Sequence, residues 1–187
     1  MPLQFVRNAD AGSFLLRRAR DVPPWQFPDW LTSQKTFVRY ADNFTFVTRG
    51  SAKLFGSIIQ RELDDRCYLV MLDPDPEEYA AAYGALPILR FDWPVTDEEF
   101  WIKTTTDPSG GMFGMAMLSE IMVIFGEKPS WLIYYQRSLS MAMLVTSFDP
   151  DSLIEVNSDW WYPFEFVRDQ VPPGSPIYGD LGPINVR

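Results

Sequence analysis

Two runs of acids stand out in this chain of 187 residues, which contains no histidine. Asp73, Asp75, Glu77 and Glu78 fall within six positions, and Asp97, Glu98 and Glu99 are consecutive. Hard cations take clustered carboxylate oxygens as ligands, but neither run has the spacing of a calcium-binding loop or a glycine at its turn position. Both runs instead have the form of a helix start. Asp75 fits an N-cap, Pro76 the first helical position, and Glu77 and Glu78 the positive end of the helix dipole. Thr96 followed by Glu99 has the spacing of a capping box. No metal and no other cofactor is expected.

The missing histidine removes the common nucleophile–imidazole pairs and the imidazole proton shuttle. Cys67 is the sole cysteine and opens the apolar run Cys67 to Leu72. It reads as a buried thiol on a core strand, without a base to activate it. A hydrolase working with carboxylates alone needs no histidine. Asp92 beside Trp93, and Glu165 between Phe164 and Phe166, are the acids whose apolar neighbours would raise a carboxyl pKa. The more ordinary outcome for each is a solvated acid on an outer face. Glu120 sits among Leu118, Ile121 and Met122; if residues 112–125 are a buried helix, it either reaches water at one face or pairs with an arginine, because an unpaired buried carboxylate is too costly. Gly110 to Gly114 lacks the pattern of a phosphate-binding loop, and no nucleophile elbow is present.

Charge and aromatics point to a binding surface. The net charge is −9. Residues 1–66 hold ten Lys/Arg against seven Asp/Glu, whereas residues 67–187 hold six against eighteen. Such a field disfavours nucleic acid and anionic membrane and steers a basic partner. Two segments of the acidic part combine acids with tryptophan, the residue type most enriched at interface hot spots. They supply the expected binding residues: Asp97, Glu98, Glu99 and Trp101 in one, Asp159, Trp160, Trp161 and Glu165 in the other. Six of the eight methionines fall between 112 and 143. Met-rich faces can be adaptable binding surfaces, but core filling is the more ordinary use.

These residues need a scaffold, and the length fits one α+β domain over residues 1–187 with a mostly antiparallel sheet and flanking helices. Residues 11–20 form a short basic helix, and the prolines and tryptophans up to residue 35 an extended arm with Trp25, Phe27 and Trp30 laid across the sheet. Residues 36–40 and 44–48 form a hairpin about an Asp-Asn turn. Ser51 to Asp65 is an amphipathic helix with Leu54, Phe55, Ile58, Ile59 and Leu63 inward. Residues 67–72 and 88–93 are strands, and helices follow Asp75 and Thr96. Residues 112–125 are a buried helix or two short strands, and 131–135 pairs with 141–146. The Pro/Gly-rich tail, 170–187, packs on the body or on another chain.

Charged residues appear early, no long apolar stretch exists, and one cysteine allows no internal disulfide, all in keeping with a cytoplasmic protein. In overall character the chain resembles stoichiometric inhibitors such as bacterial immunity proteins, which neutralise a toxin. The expected partner is a protein of basic character, with a second copy of the chain as a further option. A carboxylate-only hydrolase and a structural subunit of a phage or secretion apparatus are the alternatives.

Overall fold

The computed structural model describes residues 5–6, 9–24, 28–31, 37–42, 46–48, 50–106, 114–150 and Tyr162. Eleven elements follow in chain order: α1 (Ala9–Arg20), β1 (Phe37–Asp42), α2 (Ser51–Glu62), β2 (Arg66–Asp73), α3 (Pro76–Tyr83), β3 (Ile88–Asp92), α4 (Asp97–Thr105), α5 (Met115–Leu118), β4 (Ile121–Gly126), β5 (Trp131–Gln136) and β6 (Met141–Thr146). The six strands make one antiparallel sheet in the order β1-β6-β5-β4-β2-β3. The fold is therefore α+β, with helices on both faces.

Both faces are covered because every central strand is apolar on both sides. In β2, Cys67, Leu69 and Met71 enter one core, while Tyr68 and Val70 enter the other. In β4, Met122 and Ile124 join the first core, Val123 and Phe125 the second. The first core is closed by Phe55, Ile58 and Ile59 of α2, Phe100 of α4 and Met115 of α5. The second is closed by Leu15, Leu16 and Ala19 of α1. This explains the unbroken run from Cys67 to Leu72, since side chains alternate between faces and neither face is wet. Cys67 is fully buried, and burial pushes its thiol pKa far up. Met115, Met122, Met141 and Met143 are buried core residues, whereas Met117 is exposed.

Both acid runs open helices as their spacing predicts. The Asp75 carboxylate accepts from the backbone N–H groups of Glu77 and Glu78, at 3.0 and 3.1 Å. Gly84 ends α3 in the left-handed conformation at φ +74°. Arg20 of α1 reaches over to Glu77 and lies 3.6 Å from Asp75, joining α1 to α3.

Three expectations are corrected. Among the described residues the hairpin expected over 36–48 is not seen: β1 pairs with β6, Phe37 opposite Thr146 and Asp42 opposite Met141. Residues 46–48 are used to enter α2. Phe46 is buried against Phe55, and the Thr48 N–H donates to Ser51 Oγ at 2.8 Å. Leu63 is not on the inner face of a helix reaching Asp65. The helix ends at Glu62, and Leu63 adopts a left-handed cap at φ 55° with 77% of its surface exposed. Residues 112–125 are neither a long helix nor two strands. Within the described part, α5 is one turn of helix leading into β4. The break falls at Ser119 and Glu120. Glu120 takes the N–H of Ser138 at 2.7 Å and pairs with Arg137 at 3.4 Å, so its arginine partner is present. In the Pro/Trp arm, the described residues form turns, and Trp30 lies against Phe125 on the sheet. Trp25, Phe27 and the tail lie outside the described residues.

Candidate interaction surface

Helix α4 carries one of the two segments singled out in the sequence, and its first turn divides the three acids by task. Thr96 is the N-cap. Its hydroxyl accepts from the N–H of Glu99 at 3.1 Å, and the Glu99 carboxylate accepts from the N–H of Thr96 at 3.0 Å. These bonds, the backbone one first, hold the Glu99 carboxyl below its usual range. Asp97 stands 3.9 Å from the ammonium of Lys53 on α2, and its Oδ1 is buried without a hydrogen-bond partner. Glu98 is exposed. Of the three acids, Glu98 is the one whose charge is not committed to capping or to pairing with α2.

Trp101 is half-buried, and its carbonyl accepts the hydroxyls of Thr104 and Thr105. The large apolar side chain that α4 presents to solvent is the neighbouring Ile102, 51% exposed and four residues after Glu98. That spacing stacks Glu98 and Ile102 on one side of the helix. The start of α5 lies against the end of α4. A Cβ on Gly114 would collide with the backbone of Thr105, so glycine is required there by close approach. Three residues after that contact, Met117 is also 51% exposed. Helix α4 thus presents Glu98 and Ile102 on one side, and α5, packed at its end, presents Met117. Asp159, Trp160, Trp161 and Glu165 lie outside the described residues.

A second constellation was not singled out in the sequence. Arg66 and Arg90 both donate to Asp92 Oδ1, Arg66 at 3.1 Å and Arg90 at 2.9 and 2.7 Å. Arg66 also donates to Glu127 at 2.6 Å. Of the two readings of Asp92, an acid raised by its apolar neighbours or a solvated acid on an outer face, the first is not met. Burial works against its charge, but the two guanidiniums outweigh it and hold the carboxyl below its usual range. Arg18 crosses from α1 to the same end of the sheet, over the rings of Trp30 at 4.2 Å and Phe125 at 4.6 Å. It donates to the carbonyls of Glu127 and Lys128.

Among the described residues, the acid whose carboxyl is raised is Asp64, and burial is the leading cause. Its two oxygens are already used, one by the Trp131 indole N–H at 3.0 Å and the other by the Lys128 N–H at 3.1 Å. Lys128 in turn donates its ammonium to the carbonyls of Glu62 and Leu63. This is a staple between the end of α2 and the β4–β5 turn. Nothing local marks Asp64 in the sequence, because Trp131 is 67 positions away and meets it only once α2 lies on the sheet.

Among the described residues, no group of three or more Cys, Asp or Glu side chains is placed to hold a metal ion, and no helix is long and apolar enough to cross a membrane. Set against known proteins, the chain matches no family model, no curated sequence and no solved structure.

Proposed function

We propose that the chain is a non-catalytic protein-binding module, a stoichiometric inhibitor of immunity-protein type that neutralises a basic toxin-like partner in the cytoplasm. The observation that carries this reading is that α4 and α5, packed together where Gly114 meets Thr105, each leave a large apolar side chain half exposed, Ile102 on the same side of α4 as the exposed Glu98, and Met117 on α5. Exposed apolar anchors with a charged rim are the anatomy of an association surface. Negative charge concentrated after residue 66 favours a cationic partner and a fast, salt-sensitive encounter. A carboxylate-only enzyme has less support, since Asp92 is clamped between two arginines and both oxygens of Asp64 are taken.

The test is affinity capture from the native cell, with quantitative comparison of the wild-type chain, Glu98→Lys and Ile102→Asp. Both positions are exposed, so both variants fold, and each places a charge against the dipole at one end of α4, at a cost of up to about 1 kcal/mol that is measured alongside binding. A partner held through this corner is lost with Ile102→Asp, and with Glu98→Lys its on-rate falls and becomes less salt-dependent. An unchanged partner and unchanged rates in both variants reject the α4–α5 corner as the surface.

A further inference from the structure

The helices on the two faces of the sheet turn opposite charges outward. On α1, Leu15, Leu16 and Ala19 are buried in the second core, which leaves Phe14 and Arg17, three residues apart, on the outward side. Phe14 is 55% exposed, and the exposed Arg17 guanidinium stands over its ring at 6.0 Å. The other two arginines of α1 turn aside within the chain, Arg18 to the rings of Trp30 and Phe125 and Arg20 to Glu77. Asp21, also exposed, follows a turn beyond Arg17. On the other face of the sheet, α4 buries Phe100 in the first core and turns Glu98 and Ile102 outward.

The two outward rows fit each other. Each holds one large apolar side chain and one charge, a turn apart and opposite in sign. Phe14 precedes Arg17, whereas Ile102 follows Glu98, so the rows coincide when the helices run antiparallel. At 1.5 Å per residue, anchor and charge are about 4.5 Å apart along α1 and about 6 Å apart along α4. The ring therefore meets Ile102 while the guanidinium meets the Glu98 carboxylate. Arg17 lies in the last turn of α1 and Glu98 in the first turn of α4. An antiparallel crossing thus also sets the negative end of one helix dipole beside the positive end of the other.

We propose that copies of the chain associate head to tail, with α1 of one copy laid antiparallel along α4 of the next. Because the two rows lie on opposite faces of the sheet, each contact leaves one row of either kind unused, and the assembly grows with concentration. The contact covers the side of α4 proposed above for a basic partner, so the two exclude each other. It needs no such partner, however, and Arg17→Glu removes it while leaving α4 intact. Each copy carries a net charge of −9, and copies repel at long range. At about 0.15 M salt the Debye length is about 8 Å, which confines the electrostatics to the facing groups.

The test is sedimentation velocity of the purified full-length chain at that salt, from about 10 μM to about 1 mM, the range of weak reversible contacts. The mean sedimentation coefficient of wild type rises with concentration. Arg17→Glu and Ile102→Asp each weaken association at least about tenfold, since each sets a misplaced charge in the contact. Mixed in equal amounts, they form a species of two chains and no larger, because the intact α1 of one meets the intact α4 of the other. The double variant Arg17→Glu/Glu98→Arg regains association, since the pair is restored with its signs exchanged. Thermal melting of every variant is followed alongside, and Arg17→Ala and Ile102→Ser replace any that lacks a cooperative transition, with a smaller loss expected. A wild type that stays monomeric at about 1 mM overturns the proposal. So does a variant that associates like wild type, a mixture without the two-chain species, or a charge exchange that recovers nothing.

Discussion

Removing the Asp64 carboxylate tests whether a buried acid in this fold is structural. Asp64→Ala leaves two donors without a partner, the indole N–H of the fully buried Trp131 and the backbone N–H of Lys128. A hydrogen bond to a charged group contributes about 1.5–3 kcal/mol, so the two together contribute about 3–6 kcal/mol. Against this stands relief from burying a carboxylate, the same burial that raises the Asp64 pKa. The net loss comes to about 2–4 kcal/mol, read by urea unfolding with an unchanged m-value. For a chain of this length that lowers the melting temperature by roughly 10 °C. The pH dependence has a definite sign. Because the folded pKa of Asp64 is raised, its contribution to stability is greatest below the unfolded value near 4 and falls as pH rises through the folded value. The penalty of Asp64→Ala is therefore larger at pH 4 than at pH 7. Gly126 supplies a second arm. A Cβ there would stand 2.5 Å from Trp131 Nε1 and closer still to Asp64, so Gly126→Ala strains the same staple. The two substitutions combine less than additively, since the clash with Asp64 disappears once its side chain is gone. A loss below about 1 kcal/mol for Asp64→Ala, or full additivity with Gly126→Ala, refutes the reasoning.

Leu63→Gly relieves a left-handed backbone at an exposed site, offset by the flexibility glycine adds to the unfolded chain. A gain of about 0.5 kcal/mol is expected, and a clear loss of stability by urea unfolding contradicts the strain argument. Thr96→Ala removes the hydroxyl half of the α4 capping box, leaving the bond from the residue's own backbone N–H to Glu99, and costs about 1 kcal/mol, checked by the same assay. Cys67 stays unreactive to a thiol reagent in the native protein at pH 8 and reacts fully in denaturant, because burial keeps it protonated. Rapid native labelling would show that β2 opens.

Local chemistry was legible in the sequence wherever the deciding atoms lie within a few residues of one another. The N-cap at Asp75, the capping box at Thr96 and Glu99, and the glycine stop at Gly84 are all backbone problems solved within one turn. The central strands were legible for a related reason, since a run apolar at every position has to be covered on both faces. Pairing was less so. A hairpin over 36–48 is locally reasonable, but a six-residue strand at 141–146 offered β1 a longer ladder, and Phe46 was worth more as a plug beneath α2 than as a strand residue. Leu63 fits the helical spacing equally well as the last inward residue or the first outward one. The burial of Asp64 decides between them, because chain reversal at Leu63 is what carries that carboxylate to Trp131.

The candidate surface shows the same division between local and distant causes. Acids and tryptophan at α4 were visible as a cluster, but which acid stays uncommitted depends on Lys53 from another helix and on the cap. Tryptophan drew attention as the anchor type, yet α4 presents Ile102 more openly than Trp101. The reason is geometric. In a helix lying on a sheet, the residue that completes the inward face is fixed by Phe100 and Thr104, four apart and both buried. Ile102 is then carried to the opposite side, and Trp101 to the flank between them. A large ring on the flank can cover core with one edge and meet a partner with the other, whereas an aliphatic side chain at the outermost position has no core to cover. Ile102 is thus the more discriminating position at which to separate binding from folding, since its replacement removes no buried contact that the fold needs.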